Sequence, residues 1–469
     1  MNKLKVTFIY ILLVLLTLSK ATFAGNGKIA ERVDLLIVGG TVVTMDADKT
    51  VIENGAVAIK DGKIVAVGSM ADIKNFRAKQ TINAVGKVVM PGLINTHTHV
   101  PMTLFRGLAD DLDLNEWLTK YIFPAEAKNV NEAFVRAGAK LGLAEMIRGG
   151  TTTFADMYYF EDAIADETAK AGMRGVLGET IIDFPVPDAK TPAEGMANAE
   201  KFINKWRSSD LIIPALAPHA PYTVSTENLM AVRKLSDKLN APILIHVAET
   251  QKEVDDIKAA KGETPIEYLN KIGFLNDRVI AAHTVHITDN EIAILKAKNV
   301  GSAHCPQSNM KLASGVAPIV KMLLADVSVG LGTDGAASNN DLDMWEEMDT
   351  AAKLQKTFTG DPKAVTAYQA LEMATIRGAR ALHIEDKVGS IEAGKLADML
   401  IVDMDSLHQT PMFNVFSHLV YVTKAADVRS VIINGKFVMR DRRLLTLNES
   451  VIKKDANAYR DKIINSLKN

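Results

Sequence analysis

The chain has a single cysteine, Cys305, in 469 residues. No intramolecular disulfide can form, and a zinc site built on several cysteines is excluded. A thiol between His304 and Pro306, in an apolar stretch, reads as a small buried hydrophobe rather than a nucleophile. Neither sign of charge is in excess: 54 Lys and Arg stand against 56 Asp and Glu, a net charge of −2. There is no basic face for nucleic acid to bind. No repeat and no low-complexity linker interrupts the chain. Gly39-Gly40 is not a GxGxxG opening a helix, so a dinucleotide fold has no support. What remains is 48 % hydrophobic and 23 % charged, an ordinary globular composition. The length accommodates a large barrel and an accessory module, whose core must hold the protein without covalent help.

One long apolar run is present, and it is at the start. Lys3 and Lys5 precede Val6 to Leu18, and Thr22-Phe23-Ala24 follows as a small-x-small pattern. This is the layout of a secretory signal peptide cleaved after Ala24, which predicts a secreted or periplasmic protein. The run is short for a membrane span of about 20 residues, and no cysteine near the cut could carry a lipid. No stable membrane anchor is therefore expected. Losing Lys3, Lys5 and Lys20 leaves 51 basic residues against 56 acidic ones, a net charge of −5.

From Asp34 to Val67 the chain reads as short strands broken by Gly39-Gly40, Asn54-Gly55 and Asp61-Gly62, an antiparallel β module. After Pro91-Gly92 the texture changes. Strand candidates Val88 to His97, Thr151 to Met157, Gly175 to Ile182, Leu211 to Ala217, Ile243 to Val247, Val279 to His283, Val300 to His304 and Val327 to Gly332 alternate with helical stretches such as Asn131 to Arg148. Eight buried strands alternating with helices predict a parallel (β/α)₈ TIM-type barrel, with a doubly wound sheet as the competitor. After Ile384 the β texture returns. The predicted organisation is a leader (1–24), a small β-sandwich composed from both ends (25–90 and 385–449), a barrel (91–384) and a terminal helix (450–469).

The chemistry-bearing residues fall at predicted strand exits, where barrel active sites lie. His97 and His99, two apart at the end of the first barrel strand, can chelate one ion if side chains alternate there. His246 closes the fifth strand, with Glu249 three residues on. His283 closes the sixth, and Asp334, between Thr333 and Gly335, follows the eighth. Taken singly, each has an ordinary reading: loop histidines, a helix-starting glutamate, a turn-forming aspartate. Four such exits together point to one metal-binding centre with an acid/base group beside it.

These segments, Pro91 to His99, His246-Val-Ala-Glu249, Ala282-His283 and Gly332 to Asn340, resemble the amidohydrolase superfamily, and within it the 5-methylthioadenosine/S-adenosylhomocysteine deaminases. Pro101 to Leu108, Asp110, Leu114 to Leu118, Gly172-Met-Arg174, Pro218 to Tyr222 and Ser308 to Leu312 extend the likeness, which runs from about Val33 to Leu445. The resemblance implies that His97, His99, His246 and Asp334 hold a metal. It makes Glu249 a proton shuttle and gives His283 the polarising of the attacked centre or the water. Glu126 would bind ribose hydroxyls and His219 would contact substrate. The fourth strand carries His219 and no lysine to bridge two ions, so one divalent ion is expected. Zinc suits the set; iron and manganese accept the same ligands. The expected partner is a small molecule, an aminopurine nucleoside losing ammonia, and homo-oligomerisation is left open. Guanine or pterin deamination, triazine hydrolysis and a non-catalytic periplasmic binding protein are the alternatives. One departure from the family pattern is Glu179, where deaminases accepting a homocysteine carboxylate place an arginine. If Glu179 lines the pocket, it repels that anion.

Overall fold

Gly92 is the junction on which the architecture turns. The stretch expected as one strand from Val88 to His97 is two strands in two sheets: Lys87–Pro91 and Leu93–Thr98. A β-carbon at Gly92 would sit 2.0 Å from Thr152 Oγ1, so no other residue lets the chain cross there without displacement. The computed structural model describes residues 31–468; the predicted leader and its cleavage site lie outside them. Among the described residues no helix is long and apolar enough to cross a membrane.

Strands β1 (Glu31–Val43), β2 (Val51–Lys60), β3 (Lys63–Ser69), β4 (Phe76–Asn83) and β5 (Lys87–Pro91) form the first sheet together with four from the other end of the chain, β14 (Met399–Asp403), β15 (Val428–Ile433), β16 (Lys436–Arg440) and β17 (Arg443–Leu444). The two ends do build one unit, as expected. Leu35, Val57 and Ile64 from the first part share a core with Met399, Ile401 and Ile432 from the last. The expectation of an antiparallel module is corrected: the sheet is mixed, because β1 runs parallel to both β4 and β5. β4 was not foreseen. Its sequence, Phe-Arg-Ala-Lys-Gln-Thr-Ile-Asn, is mostly polar and it lies off the main strand path, where one edge stays wet.

The second sheet is the barrel: β6 (Leu93–Thr98), β7 (Thr151–Tyr158), β8 (Arg174–Ile181), β9 (Ile212–Pro218), β10 (Ile243–Val247), β11 (Val279–His283), β12 (Gly301–His304) and β13 (Val329–Leu331), all parallel and in sequential order. Two hydrogen bonds draw the last strand onto the first: Thr96 Oγ1 donates to Leu331 O at 2.8 Å, and Asp334 N to His97 O at 2.9 Å. Ile94, Ala155, Val176, Ala215, Leu244 and Ile280 fill the interior, while alternate residues such as Phe154, Leu177, Ile243 and Ala281 join the outer core under the helices.

Arg174, in the Gly172-Met-Arg174 motif, ties the two sheets together. Its Nε lies 2.9 Å from Asp398 Oδ2, and both side chains are almost wholly buried. Asn434 N also donates to Asp398 at 2.7 Å. Removing one partner of such a pair strands the other as a buried charge. The helix Glu449–Leu467 closes the chain against Glu132–Gly149.

Candidate active site at the barrel mouth

The residues singled out above converge at the C-terminal end of the barrel. His97 Nε2 lies 3.4 Å and His99 Nε2 3.3 Å from Asp334 Oδ1, and His246 Nε2 is 3.3 Å from His99 Nε2. His283 stacks on His246 with ring centroids 5.5 Å apart and points Nε2 at Glu249 Oε2, 3.7 Å away. Simple strand alternation does not produce this. An extra residue in β6 between Asn95 and Thr98, relative to β7, makes a bulge where His97 sits. On β11, alternation from Ala281 would turn His283 outward; its φ of +72° turns it back into the mouth. Asp334 at +61° and Ala248 at +54°, just before Glu249, adopt the same left-handed conformation. Non-glycine residues held there carry backbone strain, and such strain gathers at functional sites. Gly332 lets the eighth strand close on the first, since a β-carbon there would lie 2.8 Å from His97 N.

Each imidazole is oriented from behind. His99 Nδ1 is 2.6 Å from Met157 O and His246 Nδ1 is 2.7 Å from His219 O. Both carbonyls can only accept, so Nδ1 carries the proton and the Nε2 lone pairs face the centre. His97 Nε2 is buried with no hydrogen-bond partner. A buried imidazole nitrogen aimed into a ring of donors, with nothing to bond, is the signature of a ligand. Asp334 Oδ2 accepts from Ser308 Oγ at 2.6 Å and Ser338 Oγ at 2.7 Å, leaving Oδ1 toward the histidines. Burial alone would raise the Asp334 pKa. The His97 and His99 imidazoles beside it outweigh burial and hold the carboxyl well below its usual range. Two donor groups, His97-His99-Asp334 and His97-His246-His283, each have ligand atoms within 4.8 Å of one another. The residues therefore fit a divalent cation, by donor chemistry and by the unpartnered His97 nitrogen.

Glu249 is buried beside this cluster. Burial raises its pKa, against the pull of His283, as a proton donor working near neutral pH requires. Ser314 Oγ donates to its Oε1 at 3.2 Å, and Glu253 accepts the backbone N–H groups of Ala248 and Glu249, both at 2.8 Å, fixing the turn.

Glu126 reaches the same cavity from the helix Phe123–Asn129. Tyr158 Oη donates to it at 2.7 Å and Tyr159 Oη at 3.4 Å; burial outweighs both and lifts its pKa to about 7. His219 follows β9, with Nδ1 2.9 Å from Thr223 Oγ1, and its ring packs on His246. Cys305 is fully buried and its thiol pKa is raised by burial, consistent with an inert packing role. Leu114, Trp117, Leu118 and Phe123 roof the cavity.

Glu179 does not line this cavity; Thr180 does. On β8, Val176 faces the barrel interior and Leu177 the outer core, so Glu179 shares the outward parity. It accepts from Glu161 N at 3.0 Å and borders a separate hollow with Asp188 and Lys201. The expected repulsion of an anion by Glu179 is thus corrected: the carboxylate is on the other side of the strand. Several site residues had no role in the sequence reading. Ser308, Asn309 and Ser338 were visible only as parts of motifs, and Tyr158, Tyr159, Glu253 and Ser314 gave no signal, since their partners are distant in the chain.

Residues 88–438 match the amidohydrolase family. A 5-methylthioadenosine/S-adenosylhomocysteine deaminase of Syntrophobacter fumaroxidans is 47 % identical over 420 residues, 89 % of this chain and 96 % of that one. A 5′-deoxyadenosine deaminase of Methanosarcina acetivorans is 44 % identical over 433 residues, covering 92 % and 98 %. The crystal structure of an adenosine deaminase from Xanthomonas campestris, with bound zinc, superposes with a TM-score of 0.91 at 43 % identity, over 93 % of this chain and 99 % of that one. The chain belongs to the amidohydrolase family. Among these relatives it is a hydrolase of carbon–nitrogen bonds, a deaminase.

Proposed function

We propose that the chain deaminates aminopurine nucleosides of the 5-methylthioadenosine and adenosine type, with one divalent ion, zinc, held by His97, His99, His246 and Asp334. The observation that carries this is the meeting of three imidazoles and one carboxylate, His97, His99, His246 and Asp334, with a buried, separately oriented Glu249 at one cavity. A bound ion of this kind is a Lewis acid that lowers the pKa of water from 15.7 to about 7.

The protein's own groups account for the proton traffic. Asp334, held ionised by its neighbours, takes a proton from the attacking water. Asn309 Oδ1, 2.9 Å from His283 Nδ1, accepts a hydrogen bond from that ring's N–H, which leaves His283 Nε2 to polarise the water. Glu249 delivers a proton to the ring nitrogen beside the amine-bearing carbon. As the carbon–oxygen bond forms, the ring accepts the electron pair. The exocyclic nitrogen takes the proton held by Asp334 and leaves as ammonia when the carbon–nitrogen bond breaks, while the new hydroxyl returns its proton to Glu249. Glu126 accepts hydrogen bonds from the ribose hydroxyls, and His219 borders the base.

An ammonia-release screen of zinc-loaded protein against adenosine, 5-methylthioadenosine, guanine and triazines tests the reading. Release from the adenine nucleosides supports it; release from guanine or triazines alone sinks it. The leader makes export part of the proposal, and an exported protein whose first residue is Gly25 would support that.

A further inference from the structure

The cavity adjoins a second, outer hollow, and the walls between the two have a consistent chemistry. Four lining side chains, Leu114, Leu118, Tyr222 and Leu312, also line that hollow. They form an apolar collar between the reacting centre and solvent. Past the collar the hollow is lined by Asp113 and by the Lys252–Asp256 ion pair, while Glu253 is buried against the Ala248 and Glu249 backbone. Lys252 is the one cation among the described residues lining that hollow, and its Nζ is taken by Asp256 at 2.6 Å. The inner cavity has no lysine or arginine among its lining residues. Neighbouring cations are committed elsewhere: Lys311 to Asp110, Arg106 to Glu145.

We propose that this chain selects nucleosides by the 5′ substituent, taking a thioether's apolar stem and discriminating against a terminal carboxylate. The inference rests on the nucleoside-deaminase reading above. With the aminopurine ring at the histidines and Glu249, and the ribose beside Glu126, whatever the 5′ carbon carries leaves through the collar. A methylthio group buries apolar surface against Leu114, Leu118 and Leu312, which is favourable in proportion to area. A carboxylate sheds part of its hydration in the same passage and meets no lysine or arginine among the side chains lining the inner cavity. Glu179 has no part in this selection; the walls of the exit do.

The test compares kcat/KM for ammonia release by the zinc-loaded enzyme on three substrates: 5-methylthioadenosine, S-adenosylhomocysteine, and the latter's decarboxylated analogue, 5′-(3-aminopropylthio)-5′-deoxyadenosine. The expected value for S-adenosylhomocysteine is below that for 5-methylthioadenosine by about tenfold or more, the size set by one unpaired charge. Removing the carboxylate should restore most of the difference. Leu118→Arg should raise the ratio of S-adenosylhomocysteine to 5-methylthioadenosine. Equal kcat/KM for those two substrates in the wild type overturns the proposal while leaving the deaminase reading intact. No ammonia from any of the three overturns both.

Discussion

The inner floor of the cavity and its outer collar are built on opposite principles. On the floor nearly every side chain is polar, buried and held by a second group: Asp334 by two serines, His99 and His246 by carbonyls, His283 by Asn309. The collar is four side chains with no such scaffolding, placed by helix and loop packing alone. Charge development needs donors fixed in advance, which a network supplies. Excluding water and choosing a substituent needs only shape and apolar area. Changes to the floor should therefore act on turnover, and changes to the collar on relative affinity.

The largest effect expected is from Asp334→Ala. It removes a ligand and the proton acceptor together, so metal content by elemental analysis and activity should both collapse. Full metal retention would show that the carboxylate is not a ligand. Glu249→Gln keeps the donor set and removes only the shuttle. It should bind zinc normally with kcat lowered by about 10²–10⁴-fold. Turnover at the wild-type rate would remove Glu249 from the mechanism.

Ser308→Ala takes one of two hydrogen bonds from Asp334 Oδ2. Loss of a group behind a ligand costs about 10–100-fold in metal affinity or activity, measurable by competition with a chelator. A silent substitution would mean Ser338 suffices alone.

Glu126 links floor to collar. With its pKa raised to about 7, it is ionised above that value and protonated below it. As the better acceptor is the carboxylate, KM for nucleosides should rise as pH falls through about 7. Glu126→Gln should raise KM by about tenfold and lose that inflection, since a hydrogen bond to a charged group contributes ~1.5–3 kcal/mol. An unchanged pH profile would place the ribose elsewhere. The smallest effect belongs to the collar. Leu312→Ala should raise KM for 5-methylthioadenosine by about fourfold or more, the worth of a buried methylene, and leave adenosine nearly unaffected. Equal changes for both would remove Leu312 from the 5′ subsite.

Much of this was legible in the chain. The period of strands and helices gave the barrel, because each strand is buried on both faces and each helix on one. Histidines at strand ends gave the site, because a parallel barrel brings all its strand exits to one rim. What the chain did not show was local backbone geometry and contacts between distant residues. Alternation along a strand assumes a regular backbone, and at His97 a bulge, at His283 and Asp334 a positive φ, override it. The split at Gly92 depends on Thr152, and the outward face of Glu179 on the parity of β8.

The sequence by itself determined the fold class, the type of each reacting group and the strand end that carries it. These follow from local pattern and from residue chemistry. Which donors face each other, which serines and carbonyls stand behind them, and which four apolar side chains guard the exit were decided by tertiary structure. Those contacts join residues tens to hundreds of positions apart, and only closure of the barrel brings them within bonding distance.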